Sequence, residues 1–147
     1  MFQRTFRDKR QTAGILGWAG VLPIAVLALT RYLDAPTWLI ELLVGYAMVI
    51  LAFMSGSLWA GALAREEAAP APLLASNVLV LAGLAALMMP PAGACAWLAL
   101  LFALHALAEW RWVHRGQPGW YRRLRMTLST TVVMLLVVAA FPGPYHA

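Results

Sequence analysis

The chain has 147 residues, of which 63% are hydrophobic and 12% charged, about half the charged share of an ordinary soluble domain. With a mean hydropathy of +0.74 and a length near the ~150 residues typical of one domain, a water-soluble fold is excluded and no room is left for a separate soluble catalytic module. The net charge of +5 does not point to nucleic acid, because ten of the eleven Lys and Arg residues fall in segments that share one side of a membrane; anionic lipid headgroups are the expected partners.

A Lys, Arg or Asp at the centre of a membrane helix costs about 2.5–3.5 kcal/mol on insertion scales, so long charge-free windows mark spans. Four windows occur, at 11–30, 42–64, 68–108 and 126–147. The first follows Arg4, Arg7, Lys9 and Arg10 and predicts a helix over about 12–30. A basic start before an apolar stretch is also the layout of a secretory signal, but no small-x-small cleavage site follows, so the helix is expected to be retained. The helix of the second window opens ahead of it, at Asp34-Ala35-Pro36-Thr37, an acidic cap followed by an early proline, which suits a helix start. A helix over 37–64 would run about 42 Å at 1.5 Å per residue and must tilt in a ~30 Å core.

The third window is twice the ~20 residues one span needs. Met89-Pro90-Pro91-Ala92-Gly93 interrupts it, since adjacent prolines and a glycine break a helix. It therefore divides into helices over about 73–89 and 93–108, and the last window predicts one over about 124–141. Continuous apolar runs, without the alternation of barrel strands, make the fold class all-α. The whole chain, 1–147, is expected to form a single integral membrane bundle of five transmembrane helices. Basic residues gather before helix one, between helices two and three, and between helices four and five. The positive-inside rule then puts the amino terminus in the cytoplasm and the carboxyl terminus outside, with a bacterial inner membrane as the address. Trp38, Trp110, Trp112, Trp120, Tyr121 and Tyr145 fall near span ends, as interfacial aromatics do.

No catalytic set is apparent. Cys95 is the one cysteine, so there is neither a disulfide nor a thiolate pair for a metal. His105, His114 and His146 have no clustered Cys or Asp beside them, so no metal site or cofactor is expected. Nucleophile, phosphate-binding glycine loop and paired catalytic acid are all lacking, which leaves an enzyme without support.

Polar residues fall mainly in the cytoplasmic halves of the predicted helices: Ser55, Ser57 and Trp59 in the second, Ser76 and Asn77 in the third, His105 in the fourth, and Thr127, Ser129, Thr130 and Thr131 in the fifth. The outer halves are dry apart from Tyr46 and, at the edge, Glu41. Polar groups in hydrocarbon need partners, so a cytoplasm-facing notch formed by Ser57, Trp59, Asn77, His105 and Tyr121 is expected to hold a lipid, a quinone or a partner helix. The competing account is packing, with hydroxyls returned to the carbonyl one turn back. His105 and Glu109 are four residues apart on one face, so they form a candidate proton pair; the alternative for Glu109 is contact with headgroup water or a nearby arginine. Ala52, Gly56, Ala60 and Ala64 form a four-spaced ridge of small residues, the pattern of close helix association. It is expected to pack inside the bundle, with a homodimer or a membrane-protein partner as the other use.

The stretch Gly45-Tyr46-Ala47-Met48-Val49-Ile50-Leu51-Ala52-Phe53-Met54-Ser55-Gly56-Ser57-Leu58-Trp59 resembles the signature of an uncharacterised bacterial membrane family, domain of unknown function 3429, related to transmembrane protein 69. Pro118-Gly119-Trp120-Tyr121-Arg122-Arg123-Leu124-Arg125 and Trp18-Ala19-Gly20-Val21-Leu22-Pro23 are similar to its other recurrent stretches. Members often carry a second glycine at the place of Ser55, a polar residue at Leu58 and glycine at Ala60. The resemblance implies a compact multi-helix membrane fold and no particular activity. Two functions follow as expectations: a non-enzymatic binding or assembly protein using the notch, and a small proton-coupled transporter or channel using His105 and Glu109. The dry outer half weighs against an open aqueous pore.

Overall fold

The computed structural model describes residues 2–33, 35–64 and 70–141. Five helices follow in order: α1 Phe2–Thr30, α2 Trp38–Leu63, α3 Ala71–Leu84, α4 Pro91–Ala108 and α5 Gly119–Ala140. A 3-10 turn, Ala85–Met88, ends α3, and α4 continues through a π-helical turn, Glu109–Val113, into a 3-10 turn, His114–Gly116. All five spans are long and apolar enough to cross a membrane. The protein is a polytopic membrane protein.

Helix ends follow backbone chemistry more closely than charge. Met89 and Pro90 are extended and Pro91 occupies the first turn of α4, where its missing N–H costs nothing. Pro118 likewise precedes α5, which starts five residues before the predicted 124 because Trp120, Tyr121, Arg122 and Arg123 are already helical. Arginine is a good helix former, so charge that leaves the hydrocarbon need not leave the helix. The same reason extends α1 back to Phe2. Thr37 stands at the N-cap of α2 with no side-chain cap bond. Asp34, expected there, lies outside the described residues, as do Tyr145 and His146.

The helices form a ring in chain order, α5 closing against α1, and α2 meets α4 across the middle. One apolar cluster fills the centre, with Ile24 of α1, Leu43, Leu51 and Leu58 of α2, Leu79 of α3, Leu98 and Phe102 of α4, and Val132 and Leu136 of α5. Among the described residues, long-range hydrogen bonds tie side chains to carbonyls of neighbouring elements: Tyr46 Oη to Gly20 O at 3.0 Å, Trp97 Nε1 to Ala82 O at 2.8 Å and Tyr32 Oη to Val138 O at 2.7 Å. The outer surface is a belt of large apolar side chains such as Phe53, Leu74, Leu104 and Met134, a surface suited to lipid tails and not to water.

The small-residue ridge is on the other side of α2 from the core. The buried face of α2 runs through Ala47, Leu51, Met54, Leu58 and Ala62, whereas Ala52, Gly56, Ala60 and Ala64 are all exposed. This corrects the expectation of internal packing: larger aliphatic side chains fill the centre and gain more from burial, which leaves the small ones outward. Close approach instead uses Gly17, against Leu128, and Gly61, where an added Cβ would collide with Val113.

Candidate functional site

Glu109 and Arg125 stand at the edges of the third and fourth charge-free windows. Because α4 and α5 are adjacent and antiparallel, those edges meet at one depth. Glu109 opens the π-turn and points inward at 3% exposure, and Arg125, in the second turn of α5, is 8% exposed. Arg125 Nε donates to Glu109 Oε1 at 2.9 Å and to Oε2 at 3.2 Å, while Nη2 donates to Oε2 at 3.0 Å. The fork is thus bidentate, the stronger kind of carboxylate contact. Nη2 also donates to Ser57 Oγ of α2 at 2.6 Å, and the Ser57 hydroxyl in turn donates to Met54 O at 2.6 Å. Gln117 Nε2 completes the set by donating to Glu109 Oε1 at 3.2 Å. Charges taken out of water survive only when paired and hydrogen-bonded; here a network drawn from α2, the π-turn, the connection before α5 and α5 itself provides both.

Beside this network lies an open cavity of about 410 Å³ whose walls include Ser57, Ala60, Gly61, Val113, Gln117 and Tyr121. Ser57 and Tyr121 are therefore the two expected notch residues that the structure brings together. His105 sits one turn deeper on α4, fully buried, and neither ring nitrogen has a hydrogen-bond partner. The Met54 carbonyl lies beside the ring without closing a bond by length and angle. Trp59 and Asn77 are elsewhere: both are exposed on outer faces, and Asn77 Nδ2 donates to Leu73 O at 2.8 Å. Ser76 and Thr131 also bond carbonyls of their own helices, so backbone return accounts for these three. Ser55 and Ser129 are buried with hydroxyls that have no partner.

Of the proton pair, both members face inward, and Glu109 is already engaged by Arg125 and Gln117. Sequence reasoning missed Arg125, Gln117, Val113 and Gly61. The first was detectable, since two opposite charges ending consecutive windows are at matching depth. Among the described residues no group of three His, Cys, Asp or Glu could hold a metal ion.

A family model described as a protein of unknown function, DUF3429, matches residues 9–141. The chain belongs to the DUF3429 family. No curated protein and no solved structure matches it. The DUF3429 match takes in Ser57, Glu109, Gln117 and Arg125 and the residues that line the cavity.

Proposed function

We propose that this DUF3429 protein is a non-enzymatic assembly protein of the bacterial inner membrane, with its amino terminus in the cytoplasm, whose notch and outward ridge seat a transmembrane helix of a partner protein. The observation that carries this is the continuity of the two features. Ala60 and Ala64 belong to both, and from them the ridge runs outward through Gly56 and Ala52, all four exposed. Gly56 has nothing within 4 Å of where a Cβ would stand. Small residues four apart let helix backbones approach closely, which is how helices associate where no hydrophobic drive separates protein from lipid. Ser57, Gln117 and Tyr121 supply polar contacts at the cytoplasmic end, the first two hydrogen-bonded to the buried ion pair. A proton-coupled transporter using His105 and Glu109 draws less support, because the Glu109 carboxylate is committed to Arg125.

A photo-crosslinking residue at Gly56 or Ala60, activated in native membranes, tests the proposal. The expected product is one discrete protein adduct that disappears when Ala52→Leu roughens the ridge. Lipid adducts alone, or a quinone adduct, refute helix seating and assign the notch to a small amphiphile.

A further inference from the structure

We infer that a second groove, between α4 and α5 and separate from the notch, binds one acidic phospholipid, with an acyl chain in the groove and the phosphate held by arginines at its end. The groove encloses about 440 Å³. It exists because Ala103 and Ala106 of α4 are too small to meet Met126, Thr130 and Val133 of α5, and Trp110 forms its wall at the basic end. The lining positions are spaced by three and four along each helix and so mark one face of each.

Those two faces continue into cations. Four residues beyond Leu107, which also lines the groove, the π-turn that continues α4 carries Arg111; one turn before Met126, α5 presents Arg122 and Arg123. Arg111 and Arg123 are exposed, Arg122 is half-buried, and among the described residues the single ion pair is Glu109 with Arg125. Three arginines that form no ion pair among the described residues therefore lie about one turn from an apolar trough, with the exposed indole of Trp110 at the boundary. Apolar chain below and anion above, in that order along the membrane normal, is the layout of an acidic phospholipid. A zwitterionic lipid offers the same phosphate but adds an ammonium that the guanidinium groups repel, and a neutral isoprenoid offers them no anion. Guanidinium forks match phosphate oxygens in geometry as well as charge.

The test uses the full chain in mixed micelles holding equal amounts of phosphatidylglycerol and phosphatidylethanolamine, read by native mass spectrometry. The wild type is expected to retain one phosphatidylglycerol. Arg122→Gln with Arg123→Gln should weaken retention by about fivefold per arginine, the effect of one basic residue at an anionic surface. Ala106→Phe should abolish it with all arginines present. Thr130→Leu fills the same groove from an exposed position where no neighbour must move, so a folding defect in the first filler leaves a second route to the same readout. Lys9→Gln with Arg10→Gln removes equal charge from α1 and should change nothing. Equal retention of phosphatidylethanolamine, a matching loss in the α1 variant, or an undiminished adduct in both filled grooves overturns the inference. A tightly bound protein in place of lipid also overturns it.

Discussion

Replacing Glu109 by leucine leaves Arg125 with its charge and without its three bonds to the carboxylate. At 8% exposure the guanidinium cannot recover those contacts from water, and stranding one member of a buried pair costs about 3–5 kcal/mol. Arg125→Leu should cost a similar amount by stranding the carboxylate, although Gln117 still donates to it. The double variant removes both charges and places two aliphatic side chains at one interface. Ser57 keeps its bond to Met54 O, so most of the loss should be recovered, as happens when a buried pair is replaced by apolar groups of similar volume. The coupling energy is then at least about 2 kcal/mol, well above the ~0.5 kcal/mol scatter of independent sites. Unfolding in mixed micelles titrated with a denaturing detergent, followed by circular dichroism, measures all four proteins. Single variants that each cost under about 1 kcal/mol, or a double variant that equals their sum, would refute the assignment of this pair as buried and mutually dependent.

His105→Leu should leave stability unchanged or raise it, since it exchanges two unpartnered buried nitrogens for carbon of similar size; the same detergent titration reads this, and a loss above about 2 kcal/mol means the ring has a polar partner. Gly61→Val should cost about 1–3 kcal/mol by forcing the α2 backbone away from Val113, whereas Gly56→Ala, in open space, should leave the midpoint where it is or shift it slightly upward. Trp97→Phe should cost about 0.6–1.7 kcal/mol for the lost bond to Ala82 O, an amount that a melt against the wild type resolves. For the orientation proposed, single cysteines replacing Lys9 or Arg123 should react with an impermeant maleimide only in inverted vesicles, and one replacing Pro36 only in intact cells; the reverse pattern inverts the protein.

Span number and order were legible because the cost of burying charge is large and local, so windows without charge report helices directly. Rotation about each helix axis was not. Ser57 and Asn77 were placed at comparable depths, yet Ser57 turns toward α5 and Asn77 toward the surface, and depth alone carries no azimuth. Asn77 is tolerated outward because Leu73 O satisfies its amide. The ridge on α2 was visible as a pattern, but whether small residues face in or out depends on which larger neighbours claim the centre. The π-turn had no sequence signature at all; it arises where the end of α4 meets α2 and α5, a property of packing and not of Glu109–Val113 taken alone. In sequence Arg125 is one of the basic residues between helices four and five, and only the antiparallel meeting of two window edges separates it from Arg122 and Arg123.

The neighbours α2 and α3 differ in reach. Twenty-six α-helical residues extend about 39 Å, while fourteen α-helical and four 3-10 residues extend about 29 Å. A bilayer that matches the short rod leaves the long one with apolar surplus, and one that matches the long rod is pinched beside the short. Either choice carries an elastic cost of fractions of a kcal/mol per Å of mismatch. The protein should therefore gather where lipid is thin or easily deformed, and its lateral distribution should follow acyl-chain length when that is varied.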